Sequence, residues 1–174
     1  MNSTDQLVTV AINGDDQAFL NLIQLYKIDL FKTALSFLRN EEEALEAIQE
    51  VTYRAYNGIQ AIRDVTYFKT WLIRIMINYC NDQLKKKKRV VLGDEILNIH
   101  GTYENHERME LNDAVMRLDD RSREVLTLKY FNDMKIKDIA NTMQCPEGTV
   151  KTWLNKALKA LREKIEEKGG DLHV

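Results

Sequence analysis

Lys135-Ile136-Lys137-Asp138-Ile139-Ala140-Asn141-Thr142-Met143-Gln144-Cys145-Pro146-Glu147-Gly148-Thr149-Val150-Lys151-Thr152-Trp153-Leu154 is the stretch on which the reading of this chain turns. Ile136, Ile139, Ala140 and Met143 recur at three and four residues and so share one face of a short helix. Gln144-Cys145 supplies a turn, and Pro146 suits the first turn of the next helix, where its missing N–H is not needed. Val150, Leu154, Ala157, Leu158 and Leu161 then form the inner face of that second helix. Ala140 is small at the point where two steeply crossed helices must come close. The plan is a helix-turn-helix, whose second helix fits a DNA major groove. Glu147, Thr149, Lys151, Thr152, Asn155, Lys156 and Lys159 project from its outer side. Asn reads adenine, Lys reads guanine or holds phosphate, and Thr meets a base edge or a methyl group. Trp153 reads as packing or as a contact to phosphate or a partner. A plain helical hairpin with a solvated lysine face is the bland alternative.

Working outward, the N-terminal half is also helical in pattern. Thr9 to Asn13 and Asp15 to Arg39 read as helix, with apolar positions recurring at three and four residues through Phe19, Leu20, Leu22, Ile23, Leu25 and Tyr26 and on through Leu30, Phe31, Ala34, Leu35 and Leu38. Asn40 caps a further helix with Glu43 in the capping-box position, and Asn57-Gly58 ends it. Ala44, Ala47, Ile48, Val51 and Ala55 make its apolar face; Glu42, Glu46, Gln49, Glu50 and Arg54 lie opposite. After a loop around Arg63 to Thr66, the segment from Trp71 to Leu84 is apolar except for one narrow stripe of Arg74, Asn78, Asn81, Asp82 and Lys85. Such a helix is buried on several sides. It runs into Lys85, Lys86, Lys87, Lys88 and Arg89, cations at a helix C-terminus, where the dipole favours them. Gly93 to His106 has no sustained period and reads as a linker. The expectation is all-α: a domain over 1–92, a flexible linker over 93–106, and a second helical domain over 107–174 that holds the helix-turn-helix. Within it, helices are expected from Arg108 to Arg117 and from Asp119 to Tyr130.

Composition narrows the function classes. The 174 residues are 44% hydrophobic and 30% charged, with one proline and seven glycines, which suits a helical globular chain rather than a turn-rich β fold. No run reaches the roughly 20 apolar residues of a membrane span, and the first residues lack the basic and apolar regions of a secretory signal, so a cytoplasmic protein is expected. Two cysteines and three scattered histidines show no disulfide framework or zinc spacing, and no metal or cofactor is expected. There is no carboxylate pair, nucleophile triad or Gly-rich phosphate loop, so no enzyme is expected. The net charge of -2 hides segregation. Residues 1–60 carry 4 basic and 9 acidic side chains, whereas residues 61–92 carry 8 basic and 2 acidic. Local patches, not overall pI, decide what polyanion the chain meets.

Two motifs in order carry a family resemblance. Glu147-Gly148-Thr149-Val150-Lys151-Thr152, then Ala157-Leu158-Lys159-Ala160-Leu161-Arg162, with Leu118-Asp119-Asp120-Arg121-Ser122-Arg123-Glu124-Val125-Leu126 upstream, resembles the C-terminal domain of sigma-70-type factors of the extracytoplasmic-function group. Phe68-Lys69-Thr70-Trp71-Leu72-Ile73-Arg74-Ile75-Met76-Ile77-Asn78, with Asp82 and the basic run, resembles that family's N-terminal domain. The resemblance covers about residues 10–165. It implies a non-enzymatic initiation subunit that binds core RNA polymerase, double-stranded promoter DNA and its melted single strand. Gln49, Glu50, Tyr53 and Arg54 match the helix that docks on core polymerase. Arg63, Tyr67, Phe68, Trp71, Arg74, Asn78 and Asp82, with Lys85 to Arg89, match the surface that recognises and melts the minus-ten element. The helix from Pro146 onward matches the minus-thirty-five reader. An anti-sigma partner, often membrane-anchored in the family, is implied too, and would hold the protein at the membrane. The aromatic residues also fit the chemistry directly, because holding an extruded base on a ring offsets the cost of unstacking it.

The chain departs from the family at Leu45, where an acidic residue is usual, and at Thr52, where Phe is frequent. Trp153 stands where arginine is often found, and Cys145 where a capping serine is frequent. These departures bear on promoter preference. A stand-alone helix-turn-helix regulator is the alternative reading, and a helical protein-interaction module with no DNA role is a third.

Overall fold

The computed structural model describes residues 3–91, 114–115 and 117–169, among which there is helix and no strand. The chain divides into two compact units, residues 1–96 and 97–174. The expected linker over 93–106 and most of the helix expected over Arg108–Arg117 lie outside the described residues; Ala114 and Val115 are helical and buried.

In the first unit, α1 (Ser3–Ile12), α2 (Asp16–Leu38), α3 (Glu41–Gly58) and α4 (Phe68–Val91) pack around a core of Val8, Leu22, Leu30, Phe37, Val51, Leu72, Ile73, Met76 and Ile77. α2 touches the other three helices. α3 presents Ala44, Ala47 and Ala55 inward, all fully buried, and small residues let it lie close to both α2 and α4. Local chemistry sets the helix ends. Asp15 Oδ1 accepts from the Ala18 N–H at 2.7 Å to cap α2, and Asn40 Oδ1 accepts from the Glu43 N–H at 3.0 Å to cap α3. Arg39, in the left-handed region at φ 56°, closes α2 by donating its N–H to Leu35 O.

Two boundaries differ from expectation, and a third is reached by another route. α1 begins at Ser3 rather than Thr9, because Val8 and Ala11 bury one turn apart against the bundle. α4 begins at Phe68, after a single 3-10 turn over Val65–Tyr67 capped by Asp64, and it continues through the whole basic run. α3 does end at Gly58, as expected, but not through a left-handed glycine: Gly58 has a right-handed φ of -107°, and the chain passes straight into a 3-10 turn anchored by buried Ile59. The glycine is there for space, since a Cβ at position 58 would stand 3.2 Å from Cζ2 of Trp71.

In the second unit, α5 (Asp120–Leu126) is capped by Asp119, whose carboxylate accepts from both the N–H and the hydroxyl of Ser122. The helix expected as far as Tyr130 widens at Thr127–Phe131 into a π-helical turn. α6 (Ile136–Met143) and α7 (Glu147–Gly169) follow, and Ile139, Ala140, Val150, Leu154 and Ala157 form the buried seam. Gln144 adopts the left-handed conformation at φ 52°, and the Cys145 N–H donates to Ala140 O at 3.0 Å. Pro146 stands just outside α7, one residue earlier than its expected place within it; its carbonyl accepts from Thr149 and Val150.

Candidate nucleic-acid interfaces

The turn at 144–145 aims α7 so that Val150 and Leu154 close the seam while the outer side of its first turns stays open. Glu147, Lys151, Thr152, Asn155, Lys156 and Lys159 are exposed, and Thr149 is half-buried at the edge. The Thr152 hydroxyl donates to Gly148 O at 3.0 Å, which leaves its oxygen and methyl outward. Lys159 comes within 4.0 Å of Glu163, but both are well exposed, so that pair contributes little. Lys156 lies near the carboxylate of Asp119. Burial alone would raise the Asp119 carboxyl, but the two Ser122 hydrogen bonds and the charge of Lys156 outweigh it and hold it below its ordinary value. Cys145 is half-buried, and burial pushes its thiol up, the opposite of what a reactive thiolate needs.

Trp153 is half-buried, and the guanidinium of Arg121, from the first turn of α5, lies 4.8 Å from its ring centroid. This contact links residues 32 positions apart on different helices. Nothing in the local pattern around Arg121 announces it.

The second surface is α4 and the turn before it. Arg63, Asn78 and Asp82 are exposed, Arg74 is half-buried, and Asn81 is turned partly inward. Tyr67 and Trp71 are half-buried, whereas Phe68 is 1% exposed. Phe68 is therefore core, not a ring on which an extruded base could stack. It sits between Tyr26 at 5.9 Å and Trp71 at 5.8 Å, in a row of rings that closes α4 onto α2. Lys69 pairs with Asp29 at 2.9 Å on the same seam.

The basic run is divided. Lys85, Lys86, Lys88 and Arg89 are exposed, but Lys87 turns toward α3 and donates to both carboxylate oxygens of Glu43, at 2.7 and 2.5 Å. Glu43 thus serves α4 with its side chain while its N–H serves the Asn40 cap. Sequence reasoning missed this pair because helical spacing does not relate residues 44 apart.

On α3, Gln49, Tyr53 and Arg54 are exposed and Glu50 is half-buried. Arg54 Nε donates to Glu50 Oε1 at 2.7 Å, and its guanidinium lies 5.3 Å from the Tyr79 ring on α4. Burial, then Glu46 and Glu50, raise the Tyr79 hydroxyl above its ordinary value. Leu45 and Tyr53, 49% and 66% exposed, leave apolar surface beside these charges.

Known proteins resemble the chain along both units. The family model for sigma-70 region 2 matches residues 22–90, and the one for sigma-70 region 4 matches residues 108–161. RNA polymerase sigma factor SigV of Bacillus subtilis is 29% identical over 140 residues, covering 79% of this chain and 84% of its own length. ECF RNA polymerase sigma factor SigW of the same organism is 29% identical over 172 residues, covering 88% and 92%. In fold, the chain is similar to CnrH, solved in complex with the cytosolic domain of CnrY. The TM-score is 0.76 at 21% identity, over 95% of this chain and 99% of that one. It is also similar to the sigma factor RpoE of Bartonella quintana, solved in complex with the anti-sigma factor NepR: TM-score 0.67, 22% identity, covering 84% and 97%.

Proposed function

Because the chain belongs to the sigma-70 family, in its extracytoplasmic-function group, we propose that it is a non-catalytic, cytoplasmic initiation subunit that brings core RNA polymerase to promoters. α7 reads the minus-thirty-five element, α4 and the turn before it recognise and help to melt the minus-ten element, and α3 docks on core polymerase. The corresponding division of labour is a domain over 1–92, a linker over 93–106 and a domain over 107–174. The observation that carries this reading is the outer face of α7. A helix set by a left-handed turn, polar and cationic outward, apolar inward, is what direct readout of a groove requires.

The melting role rests on a smaller set of side chains. With Phe68 in the core, Tyr67 and Trp71, both half-buried, are left as the rings to meet an extruded base, beside Asn78 on α4. Four exposed cations at the end of α4 supply sequence-independent attraction to phosphate. The proposal includes an anti-sigma partner, membrane-anchored or not, and is supported by the similar fold of RpoE, which is solved with one; the exposed Leu45 and Tyr53 on α3 offer it apolar area, as they do polymerase.

The test is reconstitution with core polymerase and selection of a promoter from random duplex, followed by permanganate footprinting. Thymines should become reactive only when core and this chain are both present. A chain that selects a palindromic duplex alone and never associates with core polymerase would instead be a stand-alone regulator.

A further inference from the structure

We propose that Arg121, on α5, is a DNA-contacting residue: stacked on the indole of Trp153, its guanidinium is held at the edge of α7 and takes a phosphate of the strand flanking the groove that α7 enters. The inference rests on the reading of α7 as a duplex-binding helix and adds a residue from outside that helix.

The geometry is specific. The guanidinium carbon lies 4.8 Å from the ring centroid, and the arginine side chain is 51% exposed. Stacking occupies a face of the planar guanidinium and leaves its N–H donors in the plane, where a phosphate oxygen can meet two of them. Its ion pair with Glu124 is loose, at 3.6 Å and beyond hydrogen-bond distance, so that charge steadies Arg121 without claiming the fork. Arg121 also acts electrostatically on Cys145, in the turn of the helix-turn-helix. It therefore stands beside the opening turns of α7, the part of a recognition helix that contacts base edges.

The position on α7 fits as well. At about 100° per residue, Thr149, Trp153 and Lys156 lie along one flank of the helix, between the buried seam of Val150, Leu154 and Ala157 and the outward face of Thr152 and Lys159. A flank next to a base-reading face lies against the sugar-phosphate wall of the groove. Lys156 gives that flank one cation, and Arg121 a second. An unsupported arginine loses rotamer freedom when it binds, whereas one already laid on an indole has lost much of it beforehand. Trp153 is thus a platform, and Arg121 makes the contact.

The test uses the full chain assembled with core RNA polymerase and a duplex recovered by selection, with a scrambled duplex beside it. Arg121→Ala should weaken binding by about tenfold on both duplexes. It should also lower the slope of log affinity against log salt by about 1. Arg121→Lys, which keeps charge but stacks poorly, should restore the slope and only part of the affinity. In a Trp153→Leu background, Arg121→Ala should cost less than in the wild type, because the platform is already gone. An unchanged slope with Arg121→Ala overturns the inference, even if melting shows the unit is less stable, since a purely structural stack would alter stability without altering salt dependence. Strictly additive losses overturn it too. If the wild-type assembly prefers neither duplex, the reading of α7 fails and the inference with it. If the wild type discriminates and Arg121→Ala behaves identically, only the inference falls.

Discussion

Phe68 and Tyr67 are neighbours in sequence with opposite fates, and single substitutions should separate them. Phe68→Ala removes a ring from a sealed site between Tyr26 and Trp71 and should cost about 3–5 kcal/mol of stability, read by thermal melting. Tyr67→Ala, at a half-buried rather than sealed position, should cost less stability than Phe68→Ala and slow open-complex formation on a closed template; a pre-formed bubble should rescue the rate. A rate loss that the bubble does not rescue would remove Tyr67 from the melting surface. Asp119 gives a pH signature. Its carboxyl sits below its ordinary value in the fold, so the stability it contributes is fully present above the unfolded-state pKa and is lost as pH falls through the folded one. Asn caps as well as Asp but does not titrate. Asp119→Asn should therefore show a shallower loss of stability between neutral pH and about 3 than the wild type, measured by denaturant unfolding.

At the scale of an element, α7 and α4 use different physics. Thr152→Ala or Asn155→Ala should change preference at particular upstream base pairs, by roughly 1–3 kcal/mol where a paired contact is lost. Lys159→Ala should weaken binding evenly across sequences and lower the salt slope. Equal losses on every sequence for all three would contradict the proposed recognition face. On α4 the cations are not equivalent. Lys88→Ala should lower the salt slope of promoter binding, whereas Lys87→Ala should leave it nearly unchanged and act instead through the lost pair with Glu43. The helices themselves were legible in the sequence, because three-and-four spacing reports which face is buried: of the inner face expected for α7, Val150, Leu154 and Ala157 are buried, while Leu158 and Leu161 are half-buried. The π-helical turn at Thr127–Phe131 was not legible: its hydrogen bonds span five residues instead of four, as from the Asn132 N–H to Thr127 O, and no residue type marks that change.

At the scale of the molecule, charge is distributed by unit and by face. The first 60 residues are acidic overall, yet the proposed polymerase-docking patch on α3 includes the Glu50–Arg54 pair, already satisfied within the helix. Reversing both charges preserves that pair while inverting the pattern seen by a partner. The double reversal should therefore leave folding intact and weaken association with core polymerase, while DNA binding by α7 stays unchanged. Unaltered core association with weakened DNA binding would refute the assignment. The candidate site was legible in part, and the division is physical. Exposed polar positions such as Asn78, Thr152 and Asn155 follow from helical phase. Pairings across helices, such as Glu43 with Lys87 and Arg121 with Trp153, depend on how the bundle closes and leave no local mark. Phe68 shows the limit from the other side: the same ring chemistry serves a core or a base, and only burial decides.

The inward turn of Lys87 also fixes how the other four cations point. Successive residues on an α-helix are separated by about 100°, so Lys86 and Lys88 lie to either side of Lys87 while Lys85 and Arg89 lie nearly opposite it. The end of α4 is consequently a charged tip, open on three sides, rather than a charged line. A line must be rolled into register with a phosphate backbone before it engages, whereas a tip meets one at many angles. That geometry suits a polyanion whose path changes while it is held, as a duplex does when its strands come apart.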